Sequence, residues 1–320
     1  MKRRTLLAAP LVLPLAARAQ QWPSRTIRMI VPYAPGATGD IGGRLYGEEL
    51  SRSLGQSVVI DNKTGAGGTI AMAELARAAP DGYTLGVIAQ GLLVYNLGLY
   101  RNPGYDPFKD LIILSINFSV ANVLIVHPSN PAKTVADVVE QARAKAGEFT
   151  FSSGGIGTSH HMSGVLMEMR SGVKMTHVPY RATPAGIQAV VNGEVAMGMY
   201  NMPTVVSLIR AGKLKAIAVT GERRSDQFPE LPTMIEAGYK DFVVDTWLGF
   251  GAPAALPAPL VSRLNTEFNR ITTDPEMRKK MIEQGMTPWP ARTPEQAMSF
   301  LRQDSDFWLP IIKASGATAE

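Results

Sequence analysis

Cysteine is absent from the 320-residue chain, which excludes disulfide frameworks, thiolate zinc sites and cysteine nucleophiles together. Histidine is nearly as scarce. His127, His160, His161 and His177 are the whole complement, and none sits in an HExxH pattern or beside a carboxylate cluster, so neither a metal centre nor any other cofactor is expected. Long apolar runs are missing as well. The stretch Leu6 to Ala16 falls well short of the roughly 18 residues of a membrane span, and later apolar stretches are broken by polar residues or glycine. Positive charge is concentrated at the start: the formal net charge is +5, and Lys2, Arg3, Arg4 and Arg18 supply all but +1 of it. With no basic stripe interleaved with aromatics in the remainder, nucleic acid is not an expected partner.

Those early charges have a different reading. Lys2, Arg3 and Arg4 precede the apolar run, and Ala17-Arg18-Ala19 follows it as a small-residue cleavage site, so residues 1–19 read as a signal peptide cut after Ala19. The processed chain is expected to be exported to the periplasm and not to span the membrane. Arg3-Arg4 ahead of Thr5-Leu6-Leu7 fits the twin-arginine route as well as the ordinary one, and both stay open.

Glycine and hydroxyl residues are abundant in two loops. One is Pro35, Gly36, Ala37, Thr38, Gly39 and Asp40. The other runs from Ser152 to His161 and includes Ser153, Gly154, Gly155, Gly157, Thr158, Ser159 and His161. Each lies between a strand-like and a helix-like run, where backbone N–H groups and a helix N-terminus can cradle an anion. Two such loops point to one ligand gripped from two sides.

Strand-like runs at Thr26–Val31, Ser57–Asp61, Thr84–Ala89, Leu111–Asn117, Asn122–His127, Thr150–Ser152, Lys174–Val178, Val195–Tyr200 and Leu214–Thr220 alternate with helical patterns, which predicts an α/β fold. Thr134, with Asp137 three residues on, predicts a helix start, and the tail from Pro259 to Ile312 reads as three helices. Asn122–His127 and Asp245–Pro253 are candidate crossovers between two lobes. If both cross, residues 20–121 and 247–320 form one lobe and residues 122–246 the other.

At this point the chain resembles a known family, the solute-binding proteins of tripartite tricarboxylate transporters, also called the Bug family. The resemblance rests on ordered signatures: Val31-Pro-Tyr-Ala-Pro-Gly-Ala-Thr-Gly-Asp40 with Arg44; Asp61-Asn62 with Gly65-Ala-Gly-Gly68; Ala78-Ala-Pro-Asp-Gly-Tyr-Thr-Leu85; Tyr105-Asp-Pro107; Gly157-Thr-Ser-His160 with His161; His177-Val-Pro-Tyr180; and Ala211-Gly-Lys-Leu214 leading to Ala218-Val-Thr220. It implies a two-lobed periplasmic-binding-protein fold of type II-like form, two Rossmann-like α/β domains joined by two crossover strands. It also implies a small carboxylated ligand, whether a di- or tricarboxylate, an amino acid or an aromatic carboxylate, delivered to transporter membrane subunits. The proximal carboxylate would be held by backbone N–H groups and waters of the loops matching residues 35–40 and 153–159. The distal end would meet variable positions, here Gln90, Gly91, Tyr180, Arg181, Tyr200 and Asn201. The same cleft would serve an extracytoplasmic sensor that presents its closed form to a membrane histidine kinase.

Departures from the family pattern are Ala37 and Gly39 in the first loop, the Gly42-Gly43 pair that weakens the next helix by roughly 1 kcal/mol per glycine, and Tyr200-Asn201 where an acid is usual. Plainer roles compete at several positions. Gly65 to Gly68 reads as a tight turn into a helix, since no Lys-Ser/Thr pair follows it to make a phosphate loop. Asp40 reads first as a helix N-cap that also orients the loop. Arg181 is suited equally to a bidentate grip on a second carboxylate and to a solvated loop. Trp247 reads as core or hinge, and Met197 to Met202 as core. No enzyme is expected: Ser153 and Ser159 lie in no Gly-x-Ser-x-Gly elbow, and the informative loops are rich in amides and poor in acids.

Overall fold

In the computed structural model, which describes residues 22–319, the first strand β1 (Ile27–Val31) buries four of its five residues and lies between two parallel neighbours, β2 (Val58–Asn62) and β3 (Thr84–Ala89). The expected cleavage site after Ala19 lies outside the described residues. The connections are α1 (Thr38–Leu54) and α2 (Thr69–Ala76). Gly42 and Gly43, expected only to weaken α1, let it approach the sheet: a Cβ on Gly42 would stand 2.6 Å from the Phe118 ring, and one on Gly43 would stand 3.1 Å from Val31. After β3 the chain makes a π-helical turn at Gly91–Tyr95 and a short helix α3 (Asn96–Leu99).

The sequence pattern predicted two strands between Leu111 and His127. The structure has one, β4 (Leu111–Val126), because no turn residue interrupts Ser119-Val120-Ala121 and both ends find partners. From Leu111 to Ala121 it pairs antiparallel with β9 (Asp245–Pro253), and from Asn122 to Val126 with strands of the second half-sheet. That half contains β5 (Thr150–Ser153), β6 (Thr176–Pro179), β7 (Met197–Asn201) and β8 (Lys215–Val219). Its helices are α4 (Val135–Ala144), α5 (Ser159–Ser171), α6 (Thr183–Val191) and α7 (Met202–Arg210). The expected start of α4 is present as a reciprocal capping box of Thr134 and Asp137. Strand order along the whole sheet is β2-β1-β3-β9-β4-β7-β5-β6, with β8 and the two-residue β10 (Thr287–Pro288) also on β4.

The C-terminal helices α8 (Ala258–Thr273), α9 (Pro275–Glu283) and α10 (Pro294–Ser315) return to the first half, where α8 and α10 pack on β4. β9 lies wholly in that half, so the chain recrosses just before Asp245. Thr220 joins both crossings. Its buried hydroxyl accepts from Asn122 N–H (2.8 Å) and donates to Val244 C=O (2.7 Å), while its backbone bonds Asn122 C=O and Val244 N–H. The result is a two-lobed α/β fold with its cleft at the carboxyl ends of the parallel strands, where loops feed helix N-termini.

Candidate ligand-binding site

The cleft between the half-sheets has a volume of about 590 Å³, in the range of small-molecule sites. Two helices open onto it. Ala37 is the N-cap of α1, so the amides of Thr38 and Gly39 have no intrahelical acceptor; Thr158 caps α5, leaving those of Ser159 and His160 in the same position. All six of these residues line the cleft, as do Gly91, Gly154, Gly155, Gly157, Tyr180, Arg181 and Asn201. Aligned backbone dipoles give both helix starts a partial positive charge. No acidic side chain appears among the described lining residues, and the one charged group is exposed Arg181.

Seven other expected residues do not line it. Pro35 and Gly36 form the exposed outer turn of the first loop. Asp40 is not the N-cap of α1 but its third residue, buried behind the loop. Its carboxylate accepts from Gly36 N–H (2.9 Å), Arg44 Nε (3.0 Å) and Asn62 Nδ2 (2.8 Å). Burial pushes the Asp40 carboxyl up, and the bonds from Arg44, Gly36 and Asn62 outweigh it, holding it below the usual range. The Gly36 amide is thus spent on Asp40, which latches the loop. Asp40→Asn is expected to lower the unfolding free energy by about 2 kcal/mol, the scale of a hydrogen bond to a charged group; an unchanged urea midpoint would show that the latch is dispensable.

Gln90 points away from the cleft, donating from Nε2 to Asp304 (2.9 and 3.0 Å) and accepting from Tyr95 Oη (2.6 Å). Ser153 contacts His177 Nε2 (2.7 Å) and accepts from Gly155 N–H (3.1 Å), so the Gly155 amide is also engaged internally. Gly154 N–H donates to His160 Nδ1 (3.3 Å). His161 is buried in a stack with His177 at 4.2 Å, and Tyr200 is fully buried with its hydroxyl donating to Ser152 Oγ (2.8 Å).

Where His161 was expected, His160 faces the cleft. One residue of helix turns a side chain by about 100°, which sends His160 to the cleft and His161 into the core. His160 accepts at Nδ1 and therefore donates from Nε2 to Asn201 Oδ1 (3.0 Å); burial lowers its pKa to about 4, opposed by the Asn201 bond, so the ring is neutral. Asn201 Nδ2 donates in turn to Asn122 Oδ1 (2.6 Å), and its Oδ1 also accepts from Thr38 Oγ1 (3.2 Å). Helix starts from both halves are therefore joined through one asparagine.

Several lining residues were not anticipated. The Gly65–Gly68 turn, read as structural, forms part of the wall with Thr64, Tyr33 and Tyr100. Its amide-rich composition was the available signal. Tyr33 also accounts for the displaced glycine of the first loop, since a Cβ at Gly39 would stand 2.2 Å from the tyrosine ring. Thr246 and Leu248 contribute the floor, while Trp247 between them turns away and donates from Nε1 to Asp304 (2.7 Å). The tail reaches the cleft too: Ala319 lines it, and its N–H donates to Leu99 C=O (2.9 Å).

Among the described residues no group of three or more His, Asp or Glu is placed to hold a metal, and no helix is long and apolar enough to cross a membrane. Residues 43–317 match the TctC family, described as tripartite tricarboxylate transporter family receptor. Protein BugT of Bordetella pertussis is 33% identical over 93% of this chain and 92% of its own length. Among solved structures, Rpa4515 of R. palustris with adipate superposes with a TM-score of 0.90 at 31% identity, over 93% of this chain and 99% of its own. MatC of Rhodopseudomonas palustris with bound malate gives 0.86 at 29%, over 91% and 100%. Family match, relatives and fold agree with the cleft geometry, and the chain belongs to the tripartite tricarboxylate transporter receptor family.

Proposed function

We propose that this protein is exported through its N-terminal signal, captures a small carboxylate between two lobes, one formed by the residues up to 121 with those from 245 onward and the other by residues 122–244, and presents the closed form to transporter membrane subunits. The observation that carries this reading is the convergence of the α1 and α5 N-termini on a cleft whose described lining residues include no acidic side chain. Free amides at helix starts bind carboxylates without a dedicated cation. The relatives solved with adipate and malate carry ligands of that class. The cleft's Leu92, Ile156 and Leu248 suit a hydrocarbon middle, and Arg181 suits a second carboxylate. Among the described lining residues an ammonium group would find no acidic partner, so amino acids should bind more weakly than their deaminated analogues. The chemistry is binding and closure, with no covalent step.

The test is thermal unfolding with succinate, malate, adipate, benzoate and aspartate against the matching amides. A ligand at 100 times its Kd adds about 2.7 kcal/mol, which is several degrees. Stabilisation by one of the acids and not by its amide is expected, with Arg181→Ala reducing the effect of dicarboxylates more than that of benzoate. Equal shifts with acid and amide would remove the carboxylate reading.

A further inference from the structure

Strand β9 starts at the junction of the two half-sheets, and its side chains alternate. Trp247 goes to Asp304 on α10, while Thr246 and Leu248 face the cleft. Thr246 is 7% exposed, and its Oγ1 is buried with no hydrogen-bond partner among the described residues. Burying a hydroxyl in that way is unfavourable, and buried polar groups are normally paired. Nearby polar side chains are committed elsewhere: Asn201 to Asn122, His160 and Thr38, and Thr220 to Asn122 and Val244. Thr246 pairs in register with Val120, two residues before the Asn122 that carries Asn201. The orphan hydroxyl therefore belongs to a residue of the cleft lining, just under its surface, on the strand paired with the stretch of β4 that leads into Asn122.

We infer that Thr246 is a specificity-determining residue whose hydroxyl donates to an oxygen of the bound carboxylate, completing from below the grip made by the Thr38, Gly39, Ser159 and His160 amides. The inference rests on the carboxylate reading of the cleft and deepens it. The ligand supplies the missing partner, so occupancy is coupled to satisfying a group that the unliganded protein leaves unpaired. An acid presents an oxygen acceptor to this hydroxyl; an apolar end of similar size does not. A site built to hydrogen-bond its ligand loses discrimination once its own polar group is removed.

The experiment compares Thr246→Val and Thr246→Ser with the wild type, using whichever of succinate, malate, adipate or benzoate stabilises the wild type most. Affinity is read by calorimetry and unliganded stability by thermal melting. Valine keeps the shape and removes the hydroxyl, so affinity is expected to fall about 10- to 100-fold while the unliganded melting temperature holds or rises. Serine keeps the hydroxyl and is expected to stay within about threefold. Unchanged affinity in Thr246→Val, or equal losses in the valine and serine variants, overturns the assignment and leaves the carboxylate reading standing. A lower melting temperature for Thr246→Val with an unchanged ligand-induced shift also overturns it, because the hydroxyl would then serve only the fold. No response of the wild type to any acid overturns the carboxylate reading and the Thr246 assignment together.

Discussion

Gly91→Ala is expected to reduce ligand affinity about 100-fold while the unliganded protein keeps its fold. Gly91 follows β3 on the first half of the molecule, and a Cβ placed on it would stand 2.6 Å from the backbone carbonyl oxygen of Gly157 on the second half. A backbone oxygen cannot swing aside as a flexible side chain would, so the two loops must separate. The other neighbour of that Cβ is Tyr95 at an ordinary 3.7 Å, so the surrounding core is not overpacked. The same junction is tight at Gly67, where an added Cβ would lie 3.2 Å from the Ile156 carbonyl oxygen. Closure must then bear the cost of a misfit, typically 1–3 kcal/mol for an inserted methyl, and every 1.4 kcal/mol is tenfold in affinity. Two measurements check this. Calorimetry should show the weaker binding, and small-angle scattering should show ligand-induced compaction in the wild type that is diminished in Gly91→Ala. Wild-type affinity in the variant would mean that the lobes need not meet at this point for the ligand to be held.

Acidification from pH 7 to pH 4 is expected to destabilise the protein by several kcal/mol, with three histidines carrying much of the loss. Burial lowers His160 and His161 to about 4, and burial together with the neighbouring charge of His161 lowers His177 to about 3. In the unfolded chain each would titrate near 6.5. Their neutral forms therefore stabilise the fold fully above about pH 6.5. That contribution is lost as the pH falls toward the folded values, because the unfolded state takes up protons that the folded state refuses. For an isolated group a shift of more than two units corresponds to about 3 kcal/mol, and the stacked His161 and His177 titrate as a pair whose contributions do not simply add. Asp245 and Asp304, both raised by burial, act in the opposite direction, since they accept protons more readily when folded. Below these, the depressed carboxyl of Asp40 adds to the acid loss. The discriminating variant is His161→Leu. His161 Nδ1 has no hydrogen-bond partner among the described residues and its ring stacks on His177, so leucine removes a titrating group without orphaning another. The fall in melting temperature between pH 6.5 and 4.5 should be shallower in this variant, and an identical slope would show that His161 is not protonated on unfolding in that range.

Much of the architecture was legible because it is local. The Thr134–Asp137 capping box, the helical tail and the alternation of strands with helices depend on residues a few positions apart. The two glycine-rich loops were legible for the same reason: a strand end, a turn and a helix start follow one another in the chain. The single long β4 was not, since its continuity depends on partners from distant β7, β8 and β9.

The cleft was harder to read at the level of single side chains. Four neighbouring sets show why: Gln90 and Gly91, His160 and His161, Tyr200 and Asn201, and Thr246 to Leu248. In each, one residue turns to the cleft and its neighbour to the core. Period two in a strand, or about 100° per residue in a helix, makes a slip of one position exchange lining for core. Composition does not settle the choice, because tyrosine, histidine and glutamine suit both environments.

By itself the sequence determined the α/β class, the export signal as an expectation, and two amide-presenting loops, because each is written in contiguous residues and short-range sterics. Only the tertiary structure decided which amides stay free, that Asp40 latches the loop rather than capping the helix, and that Thr246 joins the floor. Those outcomes depend on which distant groups claim each donor first, a competition settled by packing across the two half-sheets.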